Sequence, residues 1–161
     1  SKELHLGEIS LECSRAGAAA VALWATQRLL PLKPGGEFAR GLAAGRAAAL
    51  DLDRRLRADR RFEALTGGGP ELDIVVWKPK AATAALASEL GQSIFSECAR
   101  RGLHLALVQL PQFWFEPASG ASAVEGLVTC LRSVLMKPEH QPWLDRIWNE
   151  LSMACAEVEK G

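Results

Sequence analysis

Apolar side chains recur along this chain with two periods, and the switches between them predict the order of its elements. Ile9, Leu11 and Cys13 alternate with polar residues as in a half-buried strand. Leu4 and Leu6 lie out of phase with them, which predicts a turn or bulge at Gly7 and Glu8. The run AGAAAVALWATQRLL from Ala16 predicts a helix that Pro31, Pro34, Gly35 and Gly36 end. A long helix is expected from Glu37 to Leu65, with Phe38, Leu42, Ala49, Leu52 and Leu56 on one face. Gly67, Gly68, Gly69 and Pro70 break the chain, and ELDIVVW, from Glu71 to Trp77, predicts a strand that Pro79 stops. A second amphipathic helix is expected from Ala81 to Arg101, where Leu86, Leu90, Ile94 and Cys98 recur every fourth residue and Gly102 supplies a stop. LHLALVQL from Leu103 predicts a strand, and the loop PQFWFEPASGASAVEG follows it. After Pro138, Leu144, Ile147, Trp148, Leu151, Cys155 and Val158 form one stripe of a closing helix.

Between that loop and that helix lies VTCLRSVLM, Val128 to Met136, the most informative segment. Period two places Val128, Cys130, Val134 and Met136 on the face of Arg132, and Leu131 and Leu135 on the other. The segment predicts a buried strand, and a guanidinium removed from water costs several kcal/mol unless it is paired. Its partner is then either a structural carboxylate or the carboxylate of a ligand, and the alternation leaves both open. The order of elements predicts an α/β fold with a small, mostly antiparallel sheet and helices packed on one face, in which Leu103 to Gln109 pairs with Val128 to Met136.

Composition narrows the class. The 161 residues are 48% hydrophobic, enough for one core, and the 19 basic and 19 acidic side chains cancel, so no charge excess points to nucleic acid. No apolar run approaches the roughly 18 residues of a membrane span, and SKELHLGE lacks the order of a signal peptide, so a cytoplasmic location is expected. Cys13, Cys98, Cys130 and Cys155 are far apart and sit in apolar segments, a spacing that predicts structural thiols, with no metal and no disulfide framework. The charge run DLDRRLRADRR predicts a solvated helix face. The glycine triplet follows a predicted helix and precedes a strand, the reverse of a phosphate-cradling loop. His5, His104 and His140 share no ligand or relay spacing and are expected to be surface or satisfied residues. Phe113, Trp114 and Phe115 mark either an interface or active-site rim, or a cover for the small sheet.

Four pieces, in order, resemble the C-terminal part of the group II pyridoxal-phosphate-dependent amino acid decarboxylases, fold-type I relatives of glutamate and aromatic amino acid decarboxylases. ISLECSRAGAAAVALW is similar to the family's strand ending in a small residue and arginine, followed by a helix with a Leu-Trp pair, here Leu23 and Trp24. PELDIVVWKP is similar to its strand of proline, leucine, asparagine and hydrophobics, and LVTCLRSVLMKP to its arginine-containing segment that ends in asparagine and proline. WLDRIWNELSMACAEV occupies the position of its terminal helix. Asp73 and Lys137 depart from the family's asparagines and blur the substrate rather than the family.

The resemblance implies that residues 1–35 link to a large domain and that residues 36–161 form the C-terminal small domain. It implies that Arg132 binds a substrate carboxylate, which its planar two-pronged donor would orient, with a structural ion pair as the other reading. Arg15 is a second candidate, with a structural role favoured. Pyridoxal phosphate is the implied cofactor, held mainly by the large domain, because only Lys2 precedes ISLECSR and no His-Lys pair occurs. No catalytic residue is assigned to this chain, which is expected to be inactive alone. The expected partners are the large-domain segment or chain of the same enzyme, a second complete unit in a homodimer, and an amino acid substrate. A split subunit, a proteolytic fragment and an isolated domain are all compatible with this reading. The alternative is a non-catalytic interaction domain that retains the fold and binds through the aromatic loop; a ferredoxin-like ligand sensor rests on element order alone.

Overall fold

The computed structural model describes residues 17–65, 68–115 and 126–160. The expected strand over Ile9 to Cys13, with Arg15 and His5, lies outside them, as do Gly67 and most of the loop between the last two strands. The chain divides into two units, with the boundary between Ala39 and Arg40. Four helices, α1 (Ala18–Leu29), α2 (Glu37–Ala58), α3 (Ala84–Arg100) and α4 (His140–Val158), accompany four strands, β1 (Phe62–Ala64), β2 (Ile74–Pro79), β3 (Ala106–Pro111) and β4 (Leu127–Val134). A 3-10 turn over Gln112–Trp114 follows β3.

In the first unit, α1 carries no buried residue. Arg28 lies 4.9 Å from the ring centre of Trp24, one turn away on the same helix.

In the second unit the strands form one antiparallel sheet in the order β1-β2-β4-β3. The expected pairing of the third strand with the fourth is present, with Ala106 opposite Arg132 and Leu110 opposite Val128. Strand β1 was not expected: the long helix stops at Ala58, and Phe62–Ala64 pairs with Trp77 to Pro79 as the outer strand of a hairpin. Asp59 turns the chain there, accepting hydrogen bonds from the Arg61 backbone N–H at 2.9 Å and from its guanidinium at 2.8 Å. The glycines therefore join two strands and still lack a following helix, and Gly69 adopts φ +88° in that loop.

Alternation along β4 sends Thr129, Leu131, Ser133 and, just beyond the strand, Leu135 to the face where the helices pack. There Ala48, Ala49, Leu52 and Leu56 of α2, Ile94 and Cys98 of α3, and Leu144, Leu151 and Cys155 of α4 close over Val75, Trp77 and Leu131. Trp77 is fully buried; its indole N–H donates to Ser133 Oγ at 3.1 Å, and Phe62 meets it edge-on at 5.0 Å. The buried indole thus keeps a partner.

Ala49, Leu52 and Leu56 of α2 and Ile94 and Cys98 of α3 are buried as expected, and the apolar stripes depart from expectation only towards the starts of these two helices, where Phe38, Leu42 and Leu86 are exposed. In α3 the inward row is Ala87, Gly91, Ile94 and Cys98, while Leu86 is exposed. Small residues win because the helix lies close to the sheet: a Cβ on Gly91 would stand 3.3 Å from the carbonyl oxygen of Thr129. In α2 the inward row is Gly45, Ala48, Ala49, Leu52 and Leu56, and Leu42 is exposed. The α4 stripe matches the expectation, with Leu144, Leu151 and Cys155 buried and Ile147, Trp148 and Val158 packed against them.

The charge run is mostly solvated and laced with ion pairs, Asp51 with Arg54 and Arg55, and Arg55 with Asp145. Asp53 is the exception, buried on α2 and paired with Arg57 at 2.8 Å. Buried Glu97 is likewise held by Arg100 and Arg101. Cys98, Cys130 and Cys155 are buried free thiols, and burial pushes them up to about 11, about 11 and about 12 respectively. Among the described residues no helix is long and apolar enough to cross a membrane, and no group of histidine, cysteine and carboxylate residues is placed to hold a metal.

Candidate functional site

Arg132 occupies the middle of β4, an interior strand flanked by β2 and β3, with Val76 and Ala106 directly across from it. Its side chain is exposed. The expectation of a buried guanidinium is therefore corrected. Period two assigned its face properly, but the helices cover the opposite face, that of Leu131, Ser133 and Leu135. On the face of Arg132, Val128 and Cys130 are buried, whereas Val134 is half-buried and Met136 is exposed. Being in contact with water, the guanidinium does not require a protein anion for its solvation.

Among the described residues no side-chain hydrogen bond or ion pair engages the Arg132 guanidinium. The next row on the same face, one pleat repeat or about 7 Å away, holds Lys78 opposite Glu63, and these two do pair, Nζ to Oε2 at 2.7 Å. The ammonium lies 5.0 Å from the ring centre of Phe115. The one half-buried lysine of the sheet is thus neutralised by its own carboxylate, while the arginine beside it keeps its donors available. Rows of Val76 and Ala106, and of Ile74 and Val134, frame Arg132 with apolar surface.

The other expected site residues fall apart spatially. Arg15 lies outside the described residues. The aromatic triplet divides: Phe113 and Trp114 are exposed and meet edge-on at 6.5 Å, whereas Phe115 packs over Val128 and Cys130. The reading as a cover for the sheet therefore holds for Phe115. His104 is exposed, but His140 departs from expectation, since its Nδ1 is buried without a hydrogen-bond partner in the structure.

The residues of the sheet do not fit a cradle for pyridoxal phosphate. Lys78 is tied to Glu63, and no His-Lys pair exists anywhere in the sequence. What this face can do is bind and orient: an exposed, uncommitted guanidinium on a rigid strand, bordered by apolar surface, suits a carboxylate carried by a partly apolar molecule.

No protein-family model and no curated protein matches this sequence. Solved structures do match its fold. Oryza sativa TDC with PLP and tryptamine superposes with a TM-score of 0.68 at 17% identity, covering 95% of this chain and 29% of that one. Catharanthus roseus tryptophan decarboxylase in complex with L-tryptophan gives 0.64 at 15% identity, covering 86% of this chain and 26% of that one. The glutamate decarboxylase domain of diaminobutyrate-pyruvate transaminase and L-2,4-diaminobutyrate decarboxylase from Vibrio parahaemolyticus gives 0.55 at 18%, covering 86% and 26%. The chain thus spans between a quarter and a third of the length of these three structures. In fold, a four-stranded antiparallel sheet with helices on one face, it is similar to the small C-terminal α/β domain of fold-type I pyridoxal-phosphate-dependent decarboxylases.

Proposed function

We propose that this chain is the C-terminal portion of a pyridoxal-phosphate-dependent amino acid decarboxylase, in which Arg132 binds a carboxylate of the substrate. Residues 1–35 serve as the link to the large domain and residues 36–161 as the small domain. The cofactor and its lysine belong to an upstream segment or a separate chain, and complete units pair as a homodimer in the cytoplasm. The observation that carries the reading is that Arg132 projects from an interior strand of this fold without a carboxylate partner among the described residues. A structural ion pair at Arg132, the rival reading, would need an acid that the sheet does not offer it: the one carboxylate on that face, Glu63, holds Lys78. The exposed apolar side chains of α1, Val21, Leu23, Trp24 and Leu29, support a surface that a large domain covers.

The test is steady-state kinetics of the complete enzyme. Arg132→Ala is expected to cost about 2–4 kcal/mol in kcat/KM, the scale of removing one partner from a charged hydrogen-bonded pair. Arg132→Lys should recover part of it, because an ammonium keeps the charge and loses the fork. Unchanged KM and kcat in Arg132→Ala would remove the assignment. The second reading, a non-catalytic interaction domain, draws on exposed Phe113 and Trp114. It predicts that Phe113→Ala with Trp114→Ala abolishes partner binding while Arg132→Ala has no effect.

A further inference from the structure

A cleft of about 520 Å³ opens where the end of α3, the start of the β3 segment and the first turns of α4 meet, lined by Arg101, Leu103, His104, Lys137, His140, Trp143, Arg146, Ile147 and Glu150 among others. Its volume is in the range of sites for small organic ligands. Its charge is one-sided. Arg101 is spoken for by Glu97, but Lys137 and Arg146 make no ion pair within the described residues, and two imidazoles stand beside them against the single acid Glu150. Elsewhere Arg54, Arg55, Arg57, Arg61 and Lys78 each hold a carboxylate.

One further observation lies in the same cleft. Trp143, adjacent to the buried Leu144 on α4, is 54% exposed at the cleft and offers a flat apolar face beside Ile147.

We infer that this cleft binds a small aromatic phosphate of nucleoside-monophosphate size, the phosphate held by Lys137 and Arg146 and the ring laid on Trp143. The number of cationic donors suits a dianion better than a single carboxylate, and the exposed indole accounts for the ring. This inference is independent of the reading of Arg132, which lies on the open face of the sheet and takes no part in lining the cleft.

Isothermal titration of the full chain with adenosine monophosphate, inorganic phosphate and adenosine separates the contributions. Saturable binding of the monophosphate is expected, with phosphate alone weaker by tenfold or more and adenosine weaker still. Lys137→Ala and Arg146→Ala, both at exposed positions, should each weaken the monophosphate about tenfold, and Trp143→Ala should bring its affinity down toward that of phosphate. Thermal melts identical to the parent would show that the variants fold. No saturable heat at millimolar monophosphate, or binding that the three variants leave unchanged, would overturn the inference. Equal affinity for phosphate and monophosphate would also overturn it, since Trp143 would then carry no ring.

Discussion

Gly45 shows at a single residue how near α2 runs to the sheet. A Cβ built there would stand 2.8 Å from the backbone carbonyl oxygen of Leu135, an atom that no rotamer change can move aside. Helix propensity argues the other way, since glycine in a helix interior is about 1 kcal/mol worse than alanine. The clash should win: overpacking against backbone costs about 1–3 kcal/mol. Gly45→Ala is therefore expected to lower stability to urea, and a variant more stable than the parent would show that α2 can back away. Nothing in the local sequence distinguishes Gly45 from a tolerated helix glycine, because the requirement comes from Leu135, ninety residues later. Arg132 teaches the same lesson. Period two correctly grouped it with Val128, Cys130 and Val134, yet its exposure depends on which face the helices cover, and that is decided by α2, α3 and α4 together. The three buried cysteines were legible because each sits in an apolar segment whose burial follows from its own pattern.

Among the elements, the misreadings have a common cause. Strand β1 is three residues long, too short for alternation to register, and it follows DRR, which prolongs the helix-like charge pattern. The Asp59–Arg61 turn is what ends α2 and aims Phe62 into the core beside Trp77. Hydrogen bonding to the Arg61 side chain, against a smaller opposing effect of burial, holds the Asp59 carboxyl below its ordinary value, and the same bond raises Arg61. A carboxyl whose folded value is depressed contributes stability that is present above its unfolded value, near 4, and is lost as pH falls through the folded value. Asp59→Asn should thus destabilise the protein at pH 7, on the order of 1 kcal/mol. The gap from the parent should narrow on acidification below about pH 4. Chemical denaturation at several pH values measures this, and a gap that stays constant would place the effect of the substitution in the backbone turn instead. Helix α3 illustrates the complementary difficulty: hydrophobic periodicity favours large side chains such as Leu86, while close helix-to-sheet packing selects Ala87 and Gly91.

For the molecule as a whole, the sequence order predicted a small antiparallel sheet with one covered face and the pairing of β3 with β4, whereas the placing of β2 beside β4 required long-range pairing that no window contains. What the whole leaves exposed carries the remaining consequence. Helix α1 shows Val21, Leu23, Trp24 and Leu29 at 59–79% exposure, and a helix with this much uncovered apolar surface gains stability chiefly by docking. Under the proposed function the occupant is the large-domain segment of the same enzyme; the chain spans 29% and 26% of the length of two of the matched structures. Leu23→Asp with Trp24→Asp would bury two uncompensated charges in that interface. Because α1 buries nothing in this chain, the double variant should melt at the parent's temperature when the chain is alone. In sedimentation velocity with the complementary segment, the parent should form a joint species and the double variant should not. Assembly that survives both substitutions would mean that α1 is not the docking surface and that the link to a large domain runs elsewhere.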